Sequence, residues 1–482
     1  IGGGIIGATI LRELSRYSLK LLLLEKEGDL ARGASGANDG MIHPGIDLKK
    51  NSVKAKYCLP GNLMYDRLAE ELDFPFERIG QYILFGSFKD RILSSYLLYK
   101  ARQLNIPKVR IISEKEIAEI EPEVKSWAKG AVEIKCTGIV SPYETVIAFA
   151  ENAISNGAEV ALETSCLGFI LNEGRIEAVK TNRGLVKGKV IINAAGVYAD
   201  EIAAMANDKY FSIHPRKGTD LIFDSKIKPL VNTIISRFPK ASQRHSQTKG
   251  GAIISTVDGN VLVGPDAVEV FSKDDVGTTT DSIERVFNKH VQVLPKLKKK
   301  DIIAYFSGLR AATYEEDFLI ERSKKIENLI HVAGIQSPGL TAAPAIALDV
   351  TKMALSMFND VQTKADFNPY RKRIKRLKEL PLVERQKLIA ENPEYGKIIC
   401  RCEEVSLGEI KAVLKRQLPA KTIDAIKRRI RAGMGRCQGG FCMPLILKII
   451  AEELQLDPLA ISKHGYNSEI CLFKTKTGGE GE

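Results

Sequence analysis

Gly2, Gly4 and Gly7 in the stretch Ile1-Gly2-Gly3-Gly4-Ile5-Ile6-Gly7 form the pattern G-x-G-x-x-G. Helical spacing follows: Ile6, Ile10, Leu11 and Leu14 share one face, with Arg12, Glu13 and Arg16 outside it. An apolar run, Leu21-Leu22-Leu23-Leu24, then ends in Glu25. The sequence therefore predicts a helix leading into a buried parallel strand with an acid at its carboxyl end. The first glycine permits a tight turn, the second lets backbone approach a pyrophosphate, and the third lets the helix pack on the sheet. The helix N-terminus faces the phosphates, and Glu25 can accept hydrogen bonds from a ribose. An isolated glycine pattern is only a turn. Joined to the helix, strand and acid, it predicts dinucleotide binding, without choosing FAD over NAD.

At 482 residues the chain exceeds one ordinary core, so two or three domains are expected. It is 44% hydrophobic and 27% charged, as soluble globular chains are. The net charge of +12 gathers late, near 371–378 and 411–431. No aromatic-interleaved basic motif accompanies it, so no nucleic-acid partner is expected. A solvated face, or a site for an acidic partner or cofactor, accounts for it better. No apolar run approaches a membrane span. The fingerprint opens at Ile1, so a strand ahead of it is expected upstream. Of eight cysteines, Cys58, Cys136, Cys166 and Cys471 are scattered, which points to a reducing, cytoplasmic setting.

Further along, Gly33-Ala34-Ser35-Gly36-Ala37-Asn38-Asp39-Gly40 is too rich in small residues for a core helix. It reads as backbone brought close to a flat cofactor, with Ser35 and Asn38 donating hydrogen bonds, or as a plain surface loop. Residues 61–105 look helical, then mixed. Gly138 to Pro142 is a turn ahead of a helix from about Tyr143 to Asn156, and Glu159 to Thr164 reads as a strand. Val190 to Gly196 is a buried strand entering a small-residue turn at Ala195 and Gly196, suited to a second approach to the dinucleotide. Ile213 to Asp224, 252–264 and 301–311 have strand character and suggest a mostly antiparallel second lobe. His331 to Thr341 resembles a strand-turn-helix. Asn368-Pro369-Tyr370-Arg371 breaks the pattern.

Cys400-Arg401-Cys402 and Cys437-Gln438-Gly439-Gly440-Phe441-Cys442 form two close pairs. Helical sequence lies between them, at about Leu407 to Lys415 and Ile423 to Arg431. A helical hairpin would bring four thiolates together, which suits a 2Fe–2S cluster or structural zinc. Glycines around them offer N–H groups to sulfur, and Lys427, Arg431 and Arg436 would favour a reduced cluster.

These residues carry a resemblance. The fingerprint, the 35–40 loop, Asn193-Ala194-Ala195-Gly196, Ser307-Gly308-Leu309-Arg310 and Gly334 through Thr341 resemble FAD-dependent oxidoreductases of the D-amino-acid-oxidase superfamily. Gly138 to Pro142 and Pro215-Arg216-Lys217-Gly218 are similar to glycerol-3-phosphate dehydrogenases of the anaerobic type. Asn38 to Ile46 with Ser52 to Lys56 also looks like L-2-hydroxyglutarate dehydrogenases. Residues 398–445 resemble the bacterioferritin-associated-ferredoxin-like 2Fe–2S domain. One departure stands out: Ile335, Gln336, Ser337 and Pro338 follow Gly334, where glycerol-3-phosphate dehydrogenases typically carry a lysine.

The resemblance implies an α/β fold. A Rossmann-like FAD-binding lobe (about 1–75, 145–205 and 310–362) interleaves with an α+β substrate lobe (about 76–144 and 206–309) within residues 1–367. A linker at 368–395, a small helical cluster-binding domain at 396–450 and a tail at 451–482 follow. It implies FAD held by Gly2, Gly4, Gly7, Glu25, Ser35, Asn38, Val160, Ala195, Gly196, Gly334, Gly339 and Thr341. A cluster would sit on Cys400, Cys402, Cys437 and Cys442, with zinc the competing metal. Substrate would be a small anionic alcohol, glycerol 3-phosphate first and an L-2-hydroxy acid second. Arg310 first and Lys217 second would be its anion ligands, and His43 the base or a flavin-contacting residue, with His245 in reserve. Electrons would pass singly to an electron-accepting protein or quinone-linked partner, with peripheral membrane association through that partner allowed. A redox protein without its own substrate is the remaining alternative.

Overall fold

The computed structural model describes residues 1–124, 126–238 and 251–473. The chain forms two compact units. One holds Ile1–Leu23, Ala31–Glu159 and Cys166–Arg371; the other holds Leu24–Leu30, Val160–Ser165 and Lys372 onward.

In the first unit the fingerprint helix α1 (Ile5–Leu14) precedes β1 (Leu22–Leu24) and the long helix α2 (Val53–Leu72). Next come α3 (Pro142–Ser155), β2 (Glu159–Ala161), of which only Glu159 belongs to this unit, then β3 (Ile191–Asn193), β4 (Ile213–Phe223), β5 (Val261–Gly264), β6 (Ile302–Thr313), β7 (Leu329–Ala333) and α4 (Gly339–Leu355). Helix α1 packs on α3 and α4, and α2 packs on α4. β3 and β7 pair in parallel, and Ile1 lies against β3, its N-terminus donating to Ile192 O at 2.8 Å. Helix α2 starts at Val53 rather than near residue 61. Ser52 caps it, and the Asp317 carboxylate accepts the N–H groups of Val53 (2.8 Å) and Lys54 (2.9 Å). That support comes from far along the chain, which local pattern cannot reveal.

The second lobe of this unit is a nine-stranded, mostly antiparallel sheet. β4 is its spine, pairing with β6 along its length and with β5 on the other edge. One face carries the core of Leu221, Phe223, Val261, Val263 and Ile253. The expected lobe boundary at 309/310 falls inside β6, because Arg310 keeps its ladder partner Arg216. Residues 368–371 are stitched to this unit: Asn152 Nδ2 donates to Asn368 O at 3.1 Å, and Arg371 Nε reaches Glu151 at 2.7 Å.

The second unit contains α5 (Leu407–Leu414), α6 (Ile423–Ile430) and α7 (Met443–Leu454) around Ile410, Val413, Ile426, Ile446 and Ile450. A capping box, Ser406 with Glu409, opens α5. The stretch expected as a linker carries a helix at Leu382–Glu391. The stretch expected as a tail packs back in part. Helix α7 crosses residue 450, and Ile461 is buried in the same core with Ile470 against it. Apolar residues at 461 and 470 finish the core that three short helices leave open. No helix among the described residues is long and apolar enough to cross a membrane.

Candidate functional site

The glycine fingerprint forms the turn that leads into α1. Gly2 has φ +110°, and a Cβ there would lie 2.4 Å from Ala194 O, so this turn admits only glycine. A Cβ at Gly7 would lie 2.0 Å from Gly2 O, so the helix closes on the turn. Gly4 is different: a Cβ would meet only Ser35 Oγ, at 3.1 Å. Gly4 is also the N-cap of α1 and has no side chain to satisfy the first-turn amides, although Ile5 N–H donates to Ser35 Oγ at 2.9 Å. A helix N-terminus with that opening beside it fits a pyrophosphate.

The loop after residue 33 ties three elements together. Ser35 meets α1, as above. Ala37 meets β6, since a Cβ at Gly308 would lie 2.4 Å from Ala37 O. His43 meets α4: its N–H donates to Thr341 Oγ1 at 2.9 Å, and its Nε2 lies 3.4 Å from Ser337 Oγ. Asn62, fully buried in α2, donates to His43 O at 2.8 Å and to Cys136 O at 3.1 Å, which fixes the backbone beneath the imidazole. Asn38 braces the loop internally, accepting from Gly40 N–H at 2.8 Å.

The other expected flavin residues divide by role. Gly196 leaves open space at its Cβ position, and Ala195 N–H bonds Asn193 Oδ1 at 3.3 Å. Gly334 and Gly339 are packed against their own neighbours, Thr313 and Ile335. Glu25 and Val160 belong to the second unit. Glu25 is buried there, and its Oε1 accepts Glu27 N–H at 2.9 Å.

Arg310 and Arg216 are directly opposed in the β4–β6 register, so both side chains share one sheet face. Arg216 is committed to carboxylates, with Nε 2.6 Å from Glu269 and further bonds to Glu316. Gln336 braces Glu316 at 2.9 Å. The Arg310 guanidinium lies over Gly218, and among the described residues its hydrogen bonds go only to Asp266 O, at 3.2 and 3.3 Å. Burial lowers its pKa, partly opposed by Asp220 and Asp39. A half-buried guanidinium bonded only to a carbonyl retains donors for an anion. Lys217 is a correction. It is one residue out of phase, so it faces the other side of the sheet, where its Nζ bonds Asp275 at 2.8 and 2.9 Å and Gly277 O at 2.9 Å. His245 lies outside the described residues. Arg216, Asp220, Asn62, Gln336 and Ser337 were not singled out by pattern; strand parity around Gly218 is the one signal that could have found the first two.

In the second unit, Cys402 Sγ lies 3.8 Å from Cys437 Sγ, and the Cys400 and Cys442 thiols bond each other. The Cys442 bond, with amides of Gly433 and Glu403, draws the Cys400 thiol down to about 6 against burial. Gly433 N–H points at Cys400 Sγ at 3.5 Å, and the amides of Phe441 and Gly439 point at Cys437. A Cβ at Gly435 would lie 2.3 Å from Cys402 Cβ. Arg431 is partly committed to Glu403, at 2.9 Å. Among the described residues no set of three or more His, Cys, Asp or Glu side chains closes on one point. The thiols instead stand as two pairs, with backbone donors at both. This donor chemistry fits a four-thiolate centre.

Residues 1–353 match the FAD dependent oxidoreductase (DAO) family. The chain belongs to that family. Residues 398–452 of the oxidoreductase match the BFD-like [2Fe-2S] binding domain. It is 37% identical over 477 residues to a glycerol 3-phosphate dehydrogenase of Caloramator mitchellensis, covering 99% of this chain and 98% of that one. It is 31% identical over 387 residues to a glycerol 3-phosphate oxidase of Mycoplasma genitalium, covering 77% of this chain and 96% of that one. Among solved structures, the L-alpha-glycerophosphate oxidase of Mycoplasma pneumoniae with FAD bound superposes with a TM-score of 0.71 at 26% identity, covering 78% of this chain and 97% of that one. The oxidoreductase is thus an FAD-dependent enzyme of the class acting on CH–OH groups.

Proposed function

We propose that the enzyme oxidises glycerol 3-phosphate to dihydroxyacetone phosphate and exports the electrons through a 2Fe–2S cluster to an electron-accepting protein or quinone-linked partner. The observation that carries this reading is Arg310, a guanidinium without a carboxylate partner among the described residues, on the sheet face covered by the loop that reaches α1 and α4. Gly2, Gly4, Gly7, Ser35, Ala195 and Gly196 would hold the FAD. Arg310 anchors the phosphate. His43 takes the proton of the alcohol, its backbone held by Thr341 and Asn62 so that the ring position is set before substrate arrives. Bound FAD supplies the acceptor for the hydride that leaves the carbinol carbon. Cys400, Cys402, Cys437 and Cys442 would hold the cluster, which supplies one-electron transfer. The full-length relative named as a glycerol 3-phosphate dehydrogenase supports the substrate.

The test is anaerobic stopped-flow bleaching of the FAD-loaded protein by glycerol 3-phosphate and by L-2-hydroxyglutarate. Faster bleaching by glycerol 3-phosphate is expected. A clear preference for the hydroxy acid replaces the substrate, and no bleaching by either favours a redox protein without its own substrate.

A further inference from the structure

The sheet face that carries Arg310 also carries Asp220. In the β4–β6 register Gly218 opposes Gly308 and Asp220 opposes Phe306, so Gly218, Asp220, Gly308 and Arg310 share one side. Two glycines make room for the two charged groups. A Cβ at Gly218 would lie 2.6 Å from an Arg310 terminal nitrogen, and a Cβ at Gly264 would lie 2.4 Å from Asp220 Oδ1. Ala37 covers Gly308, and Asp39 follows in the same loop.

Asp220 is 3% exposed, and its Oδ1 has no hydrogen-bond partner among the described residues. Its neighbours are occupied elsewhere. Asp266 Oδ1 accepts Thr219 N–H at 2.8 Å, and Asp266 Oδ2 takes Arg285 at 3.1 Å. Asp39 Oδ1 accepts Met41 N–H at 3.1 Å. Among the described residues Arg310 bonds the Asp266 carbonyl and not Asp220. A buried carboxyl oxygen without a partner is costly, and few persist in folded proteins without a water or ligand to meet them.

We propose that Asp220 is a specificity-determining residue that recognises the free terminal hydroxyl of the substrate anchored by Arg310. This deepens, and rests on, the polyol phosphate reading above. Burial, with Asp39 and Asp266 adding to it and Arg310 opposing, pushes the Asp220 carboxyl well above the usual carboxylate range. A carboxyl in that state both donates and accepts, which matches a hydroxyl. A second carboxylate on the ligand would instead bring its charge toward Asp39. The pairing selects an anion that carries hydroxyls over a dicarboxylate, because a site built to bond a hydroxyl loses that bond when the hydroxyl is missing.

The experiment compares glycerol 3-phosphate with 2-hydroxypropyl phosphate, which lacks the terminal hydroxyl, in anaerobic bleaching of the FAD-loaded enzyme and of D220L. Wild type is expected to prefer glycerol 3-phosphate by about tenfold or more, the usual worth of a hydrogen bond to a charged or strongly polar group. D220L is expected to lose that preference while its rate with 2-hydroxypropyl phosphate stays within about threefold. Equal losses with both substrates mark a structural role and overturn the proposal, as does an unchanged preference. Should D220L not retain FAD, D220N serves. It keeps shape and the capacity both to donate and to accept, so the preference for glycerol 3-phosphate is expected to persist; its loss in D220N overturns the proposal. Wild type that neither phosphate bleaches removes the polyol phosphate reading and this inference with it, whereas a wild-type response that D220L leaves unchanged removes this inference alone.

Discussion

Arg216 and Arg310 face each other across two neighbouring strands, yet among the described residues only Arg216 of the two is hydrogen-bonded to carboxylates. Two guanidiniums on one sheet face repel unless each has an anion. Glu269 and Glu316 serve Arg216, and in the proposed function the complementary anion for Arg310 would be the substrate phosphate. Replacing Arg310 with Ala should slow bleaching by glycerol 3-phosphate about 10- to 100-fold and leave FAD bound. Lys217→Ala should stay within about threefold, because the Lys217 ammonium is held by Asp275 on the other face. Rapid-mixing traces for the two variants check both statements, and comparable losses in the two would remove the distinction.

Gly2 and Gly4 should fail differently when changed. Gly2→Ala puts a Cβ into Ala194 O and forces a left-handed conformation on alanine, so both thermal stability and flavin content should drop. Gly4→Val has room in the apoprotein apart from Ser35 Oγ, so it should fold with near-wild-type circular dichroism and lose FAD. The ratio of flavin to protein absorbance, read with a melting curve, separates the two. Full flavin content in Gly4→Val would detach the fingerprint from cofactor binding.

How much of this was legible in sequence depended on the range of the interaction. The helix after the glycines, helix α3 and strands β4 to β7 are written in local periodicity and turn chemistry, and they stand where the pattern put them; the cysteines are legible as two close pairs in sequence, but their thiols pair crosswise, Cys402 with Cys437 and Cys400 with Cys442. Arg310 was readable because it follows Ser307-Gly308. The choice between Arg216 and Lys217 was not, since a strand reverses its two faces with a shift of one residue and only pairing settles the phase. The start of α2 depends on Asp317, and the burial of Ile461 on a core assembled from distant helices. Asp220 looked like any polar residue in a strand until Gly264 was seen to leave it space.

Cys402 is the exposed member of the cysteine set, and Cys402→Ser tests the proposed electron export. Bleaching by substrate should persist, while reoxidation by a one-electron acceptor slows. Anaerobically purified wild type should contain iron and sulfide and give an EPR signal on reduction. Full zinc occupancy without iron would make the four cysteines a structural site.

Asp29 is 1% exposed and bonds Arg429 through both oxygens at 2.9 Å, with Arg428 at 2.8 Å. Burial alone would raise its carboxyl; Arg429 and then Arg428 more than offset this and hold it at about 2. The folded value lies below the unfolded one, so the contribution is complete above about pH 5 and is lost as pH falls through about 4 toward 2. Asp29→Ala strands two buried cations and should cost about 3–5 kcal/mol near neutral pH. The gap between the denaturant midpoints of wild type and variant should be smaller at pH 3 than at pH 7. A constant gap would exclude ionisation of Asp29 as the source.

The same clamp sets a timetable for synthesis. Asp29 and Arg429 are 400 residues apart in sequence. At roughly 5–20 residues per second, Asp29 leaves the ribosome about 20–80 seconds before its partner exists. During that interval the segment 24–30 has no arginines to bury against, and the hydrophobic residues beside it are open to other nascent chains or to chaperones. The C-terminal unit is therefore not a cassette that can be clipped off or appended at will. A truncation ahead of it leaves an early segment waiting for a counterpart that never arrives.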